Sequence, residues 1–213
     1  MIQIKKFTFN PVQENTYVLY DETKACVIID PGNLFDYEDE QLDDFIADQG
    51  LTVRQVICTH CHFDHLFGVN HLREKYQAPF SAHEAENMLI DQYPDWCGMR
   101  GLNGVEPVAH PDIYLNDGDI LEHGSSKLQF LHVPGHSPGS LAIFCEAQQF
   151  IIVGDVLFQG SIGRTDLPAG NFEQLIEGIK TKLLTLPDEV KVYCGHGGET
   201  TIGEEKKRNP FLT

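Results

Sequence analysis

Five histidines and two aspartates of this 213-residue chain stand where apolar runs end. The densest group is Thr59-His60-Cys61-His62-Phe63-Asp64-His65, which follows one such run and opens a helical pattern. In an extended segment residues i, i+2 and i+4 project to one side. His60, His62 and Asp64 therefore converge, Cys61 and Phe63 face the interior, and His65 serves a neighbouring position. His136 in VPGHSPGS, Asp155 in FIIVGDV and His196 in VYCGHGG each follow a further apolar run. Neutral imidazole and carboxylate suit zinc first, then iron or manganese. Seven donors exceed the needs of one tetrahedral ion, so two divalent ions sharing a carboxylate is the economical count. Metal binding lowers the pKa of water from roughly 16 to about 7 in favourable sites. The expected chemistry is attack of a metal-bridging hydroxide on a carbonyl, with no Ser or Cys nucleophile.

The elements that must position these residues are short and varied. Residues 1–30 alternate or run apolar and break at Asn, Asp, Pro and Gly, which predicts a small antiparallel set of strands. Leu42, Phe45 and Ile46 fall at helical spacing over residues 37–49, with Gly50 as the stop. A strand over 53–59, a helix over about 65–76 and a short helix near 83–91 follow. Residues 92–112 show no period and hold three Pro and three Gly, which predicts a long loop, with Trp96, Met99 and Leu102 marking it as a cover. The second half repeats the grammar of the first, ending in a helix over 171–184 capped by Asn171 and the strand VKVYC. Two β-rich halves with helices outside make a four-layer αββα stack within one α/β domain, residues 1–213.

Composition excludes several classes. Fifteen Lys and Arg against 32 Asp and Glu give a net charge of −17, which argues against a nucleic-acid partner. Six of the carboxylates cluster in residues 36–44, read as a solvated helix face. No apolar stretch is long enough for a signal peptide or a membrane span. Six sparse cysteines in apolar runs predict reduced, buried thiols in a cytoplasmic protein. Cys58 and Cys61 form a C-x-x-C without a thioredoxin-like context or a second pair, so they are read as structural.

The blocks THCHFDH, PGHSPGS, GDVLFQGSIGRTDLPAG and GHGGETTIGEEKKRNPFL resemble those of the metallo-β-lactamase fold superfamily, and within it the short glyoxalase II-like bacterial hydrolases. That resemblance implies His60, His62 and His136 on a first metal, Asp64, His65 and His196 on a second, and Asp155 bridging. It implies a small-molecule thiolester substrate, S-2-hydroxyacyl-glutathione, with Asp64 also orienting the nucleophile or taking a proton. Arg164 falls where longer glyoxalase II enzymes carry a substrate-binding Lys, and Asp166 where they carry a Tyr. The alternative for Arg164 is an ion pair with a carboxylate such as Asp166. The C-terminal helical domain of those enzymes has no counterpart before Thr213.

A second reading comes from the same resemblance. Mononuclear iron persulfide dioxygenases share the seven ligands and a Gly-Arg-Thr-Asp stretch like 163–166, with His60, His136 and Asp155 as the iron triad. His132 is expected to support a ligand or to pack on its strand. His71, His83, His110 and His123 are expected at the surface.

Overall fold

The computed structural model describes residues 1–213. Strand alternation decides its layering. In β2 (Glu14–Tyr20) and β3 (Ala25–Ile29), Val18, Cys26 and Ile28 turn to one side, while Tyr17, Leu19, Val27 and Ile29 turn to the other. Strands apolar on both sides need cover on both.

The first sheet runs β1 (Gln3–Phe9), β2, β3, β4 (Thr52–Ile57), β5 (Phe80–Ala82) and β6 (Ile113–Tyr114), antiparallel up to β3 and parallel beyond it. The second runs, from its other edge inward, β7 (Ile120–His123), β8 (Ser126–His132), β9 (Leu141–Cys145), β10 (Phe150–Gly154), β13 (Lys191–Cys194) and β14 (Thr200–Thr201). Only β10 and β13 pair in parallel there. A hairpin of β11 (Leu157–Phe158) and β12 (Ser161–Ile162) stands apart.

Three apolar layers hold the stack together. Tyr17, Leu19 and Ile29 meet Phe130, Ile143 and Ile152 between the sheets. Ile28, Val56 and Phe80 pack under α1 (Asp36–Gln49) and α2 (Val69–Tyr76) through Leu42, Ile46 and Leu72. Ala142, Ile151 and Val192 pack under α5 (Phe172–Gly178) and α6 (Ile202–Arg208) through Leu175 and Ile202. Three cores between four layers make this the αββα architecture. The folded chain exposes 9315 Å², close to the roughly 10,000 Å² that surface scaling gives at this mass.

Several element boundaries differ from those expected. The helix over 65–76 begins as the 3₁₀ turn Phe63–His65 and becomes regular only at Val69. The helix near 83–91 divides into the 3₁₀ turn Glu84–Glu86 and α3 (Asn87–Asp91). Residues 92–112 are not all loop, because Tyr93–Gly98 forms α4. Pro94 sits in its first turn, where a missing N–H costs nothing. Asn171 caps α5 by accepting from the Gln174 N–H, and the helix then widens into a π turn over Ile179–Leu183. The acidic run 36–44 is only partly solvated. Glu38 is buried and accepts from the Asn10 and Leu34 N–H groups, and Asp43 is buried beside Lys75.

Candidate metal centre

Strand ends bring the seven residues together. His60 and His62 follow β4, Asp64 and His65 lie in the turn Phe63–His65, and His136, Asp155 and His196 follow β8, β10 and β13. The approach of these ends depends on glycines. Gly154 leaves β10 at φ 52°, where a Cβ would meet the Thr59 side chain, and a Cβ on Gly195 would run into Asp155 Oδ1.

Two donor groups result. Nδ1 of His62 lies 2.9 Å from Nε2 of His136, which lies 3.2 Å from Nε2 of His60. Nε2 of His196 stands 3.1 Å, and Nε2 of His65 3.7 Å, from Oδ2 of Asp64. Asp155 lies between the groups. Its Oδ2 is 4.0 Å from His60, 3.7 Å from His136 and 3.6 Å from His196, and its Oδ1 is 3.7 Å from His65.

The far side of each ring sets which nitrogen is free. His136 Nδ1 lies 2.9 Å from the Arg164 carbonyl and His196 Nδ1 lies 3.1 Å from the Val12 carbonyl. Donation there leaves the His136 Nε2 lone pair turned inward, whereas at His196 burial is outweighed by Asp64 and Asp155, which raise the ring above its ordinary value. Burial, then neighbouring imidazoles, holds His60 well below its ordinary pKa and brings His62 down to about 3. Burial also lowers His136. The first group is thus three neutral lone-pair donors facing one point.

In the second group burial works against charge, yet His65 and His196 hold the Asp64 carboxyl well below the usual range. Burial likewise disfavours a charged His65, but Asp64, Asp30 and Asp155 outweigh it and raise the ring well above its ordinary value. His65 Nε2 and Asp155 Oδ1 are buried without a hydrogen-bond partner. Buried polar atoms without partners are rare. Converging neutral nitrogens and orphaned inward-facing atoms fit metal ligation. Two mutually close donor sets, His60/His62/His136 and Asp64/His65/His196, could each hold a metal ion. Asp30, His60 and His65 form a third such grouping, but both Asp30 oxygens are already committed to Thr59.

The family model of the metallo-beta-lactamase superfamily matches residues 9–196, a span that contains all seven of these residues. The chain belongs to that superfamily. A protein of Bacillus subtilis (strain 168) called the probable metallo-hydrolase YqgX is 41% identical over 98% of this chain and 96% of its own. Hydroxyacylglutathione hydrolase GloC of Haemophilus influenzae is 37% identical over 94% of this chain and 93% of its own. Among solved structures, BLEG-1 B3 metallo-beta-lactamase superposes with TM-score 0.87 at 39% identity, over 99% of this chain and 100% of that one. TTHA1623 in a di-iron-bound form also gives 0.87, at 36% identity over 98% and 100%. Membership in this metallo-beta-lactamase superfamily makes the chain a metal-dependent enzyme.

Sequence reasoning missed the residues of this superfamily member that hold the ligands in place. Asp30, at the end of β3, accepts from the Thr59 N–H at 2.6 Å and the Thr59 hydroxyl at 2.7 Å, and lies 3.3 Å from His65 Nδ1. The parallel between CVIIDPG and FIIVGDV, each a strand ending in Asp, was the available signal. Glu14 lies fully buried, 3.9 Å from His65 Nδ1. Glu86 joins the two ligand loops, accepting from the Cys61 N–H, the Ser137 hydroxyl and the Gly139 N–H at 2.6, 2.7 and 2.6 Å.

Five of the donors, His62, Asp64, His136, Asp155 and His196, line a cavity of about 480 Å³ that Trp96 and Arg100 from residues 92–112 also line, while His60 and His65 lie behind them. Arg164 also lines it, but its guanidinium is engaged by Asp166 through two bonds of 2.7 Å. Phe63 faces this cavity and is only half-buried, unlike Cys61, which is buried as expected. His132 does not touch a ligand side chain. It stacks on His83 with centroids 4.2 Å apart, and its Nε2 lies 2.9 Å from the Pro138 carbonyl. His110 is exposed and His71 and His83 are half-buried, whereas His123 is buried. The alternation of β7 turns it inward beneath its partner Ser126.

Proposed function

We propose that this chain is a dinuclear metal-dependent hydrolase of small thiolesters, with S-2-hydroxyacyl-glutathione the first substrate class. The observation that carries the reading is the pair of donor groups on either side of Asp155, with members of both lining one cavity. His60, His62 and His136 would hold one ion, Asp64, His65 and His196 the other, and Asp155 both. Two such ions, zinc by donor type and iron or manganese by the same chemistry, would supply a hydroxide at neutral pH and a Lewis acid for an acyl oxygen. The name of the Haemophilus influenzae relative supports the thiolester class.

The chain's own groups do the rest. Asp64 is ionised at neutral pH and faces the cavity, so it can orient the nucleophile by accepting a hydrogen bond; a carboxyl held this far below the usual range is a weak base, which favours orienting over taking a proton. His196, 3.1 Å away, fixes the direction of that carboxylate. Cys61 also lines the cavity, but burial pushes its thiol well up, so it is no competing nucleophile. A thiolate departs with little protonation, so no further acid is needed beside it. Arg164 orients His136 through its carbonyl, and its guanidinium reaches a substrate only by exchanging Asp166. Six unpaired cysteines accord with a cytoplasmic setting.

Metal content per chain, measured together with turnover, tests the reading. Two ions and hydrolysis of S-lactoylglutathione are expected. One iron per chain with oxygen consumption on glutathione persulfide would replace it with the dioxygenase reading.

A further inference from the structure

The cavity wall carries two cationic side chains, Arg100 and Arg164. Arg164 is neutralised by Asp166. Arg100 has no acidic partner, and its one hydrogen bond runs from Nη1 to the Trp96 carbonyl at 3.0 Å. Its guanidinium lies 4.1 Å from the centroid of the Phe63 ring and 5.1 Å from that of Trp96. Stacking on aromatic faces holds a guanidinium by its plane and leaves in-plane N–H groups free for a carboxylate. Phe63 stands between His62 and Asp64 in the sequence, so the stack also fixes the distance of Arg100 from the donor groups. In a molecule of net charge −17, Arg100 is an exposed cation without an acidic partner that lines the reacting cavity.

We propose that Arg100 anchors a carboxylate on the substrate's thiol carrier, so that residues 92–112 select anionic thiolesters. This rests on the thiolester reading of the same site. Arg100 is a specificity residue. It contacts the end of the substrate remote from the acyl carbon and takes no part in bond making or breaking.

Trp96 is the chain's single tryptophan and touches the Arg100 stack, so its fluorescence reports occupation directly. The metal-loaded protein is titrated with S-methylglutathione and with its diethyl ester, which keeps the shape and removes the carboxylates. The wild type should prefer the acid by about tenfold, the scale of one charge-assisted pair at a partly exposed site. Arg100→Gln should abolish that preference and Arg100→Lys should keep part of it. The ratio of kcat/KM for S-lactoylglutathione over an uncharged thiolester should fall by the same factor in Arg100→Gln. An acid-to-ester ratio unchanged by Arg100→Gln, or no preference in the wild type, overturns the proposal. If no thiolester is hydrolysed while the fluorescence preference exists and is lost in Arg100→Gln, the hydrolase reading fails and the carboxylate anchor stands.

Discussion

Nδ1 of His65 lies 3.3 Å from Oδ2 of Asp30, a carboxylate that also takes both the N–H and the hydroxyl of Thr59. One buried carboxylate therefore faces the ring of His65 and fixes the start of the loop that carries His60. Partners of this kind typically govern metal affinity by about 10–100-fold. Asp30→Ala should weaken metal retention by that factor in chelator competition. It should also lower stability, because the Thr59 N–H is left buried without an acceptor, at about 1–3 kcal/mol. Unaltered metal affinity in this variant would separate Asp30 from the site.

Asp155 is the one carboxylate within 4.0 Å of residues from both donor groups. Asp155→Ala should deplete both ions together, read as metal per chain by elemental analysis. Loss of one ion with full retention of the other would mean that it does not bridge.

Glu86 accepts three hydrogen bonds that tie the loop after β4 to the loop after β8. Burial pushes its carboxyl up against those three donors, so the site is a strongly desolvated one. Glu86→Ala strands the Cys61 and Gly139 N–H groups, while the Ser137 hydroxyl keeps Ser140 at 2.7 Å, a loss on the order of 3 kcal/mol. For a chain of this length each kcal/mol moves Tm by about 2–4 °C, so thermal unfolding should shift by roughly 6–12 °C. Glu86→Gln should recover part of the shift, and a change below about 2 °C would remove Glu86 from this role.

Asp43 gives a pH-dependent prediction away from the centre. Burial raises its carboxyl, but bonds from Lys75, Tyr76 and His71 outweigh burial and leave it below the ordinary range. A depressed folded value means the stabilisation is complete above about pH 4, the ordinary unfolded value. It is lost as pH falls through the lower folded value. The stability gap between wild type and Asp43→Asn should be constant from neutral pH to about pH 5 and close below about pH 4. A gap that persists unchanged in acid would contradict the assignment.

The candidate donors could be read from the sequence because His60, His136, Asp155 and His196 follow apolar runs whose ends gather on a rim, with His62, Asp64 and His65 close behind His60. The layering was legible for a related reason, since strands such as CVII and FIIV are apolar on both sides. The supports were not. Glu86 acts across 25, 51 and 53 positions of the chain, and no local pattern records such pairings. Helix α4 was hidden by the Pro and Gly content of residues 92–112, although Pro94 belongs where a helix starts. Helix α6 lay inside a block read only for its family likeness, although Thr201 caps it by accepting from the Glu204 N–H.

Each donor group takes two members from the segment after β4 and one from the second sheet: His136 for the first, His196 for the second. An ion in either group would therefore be a cross-link between regions remote in sequence, closing a loop of 76 positions between His60 and His136. Such a closure removes freedom chiefly from the unfolded chain, as a disulfide does. Metal supply would then govern the lifetime of the folded protein in the cell as well as its turnover, so metal-starved chains would be open to proteolysis before they were merely idle.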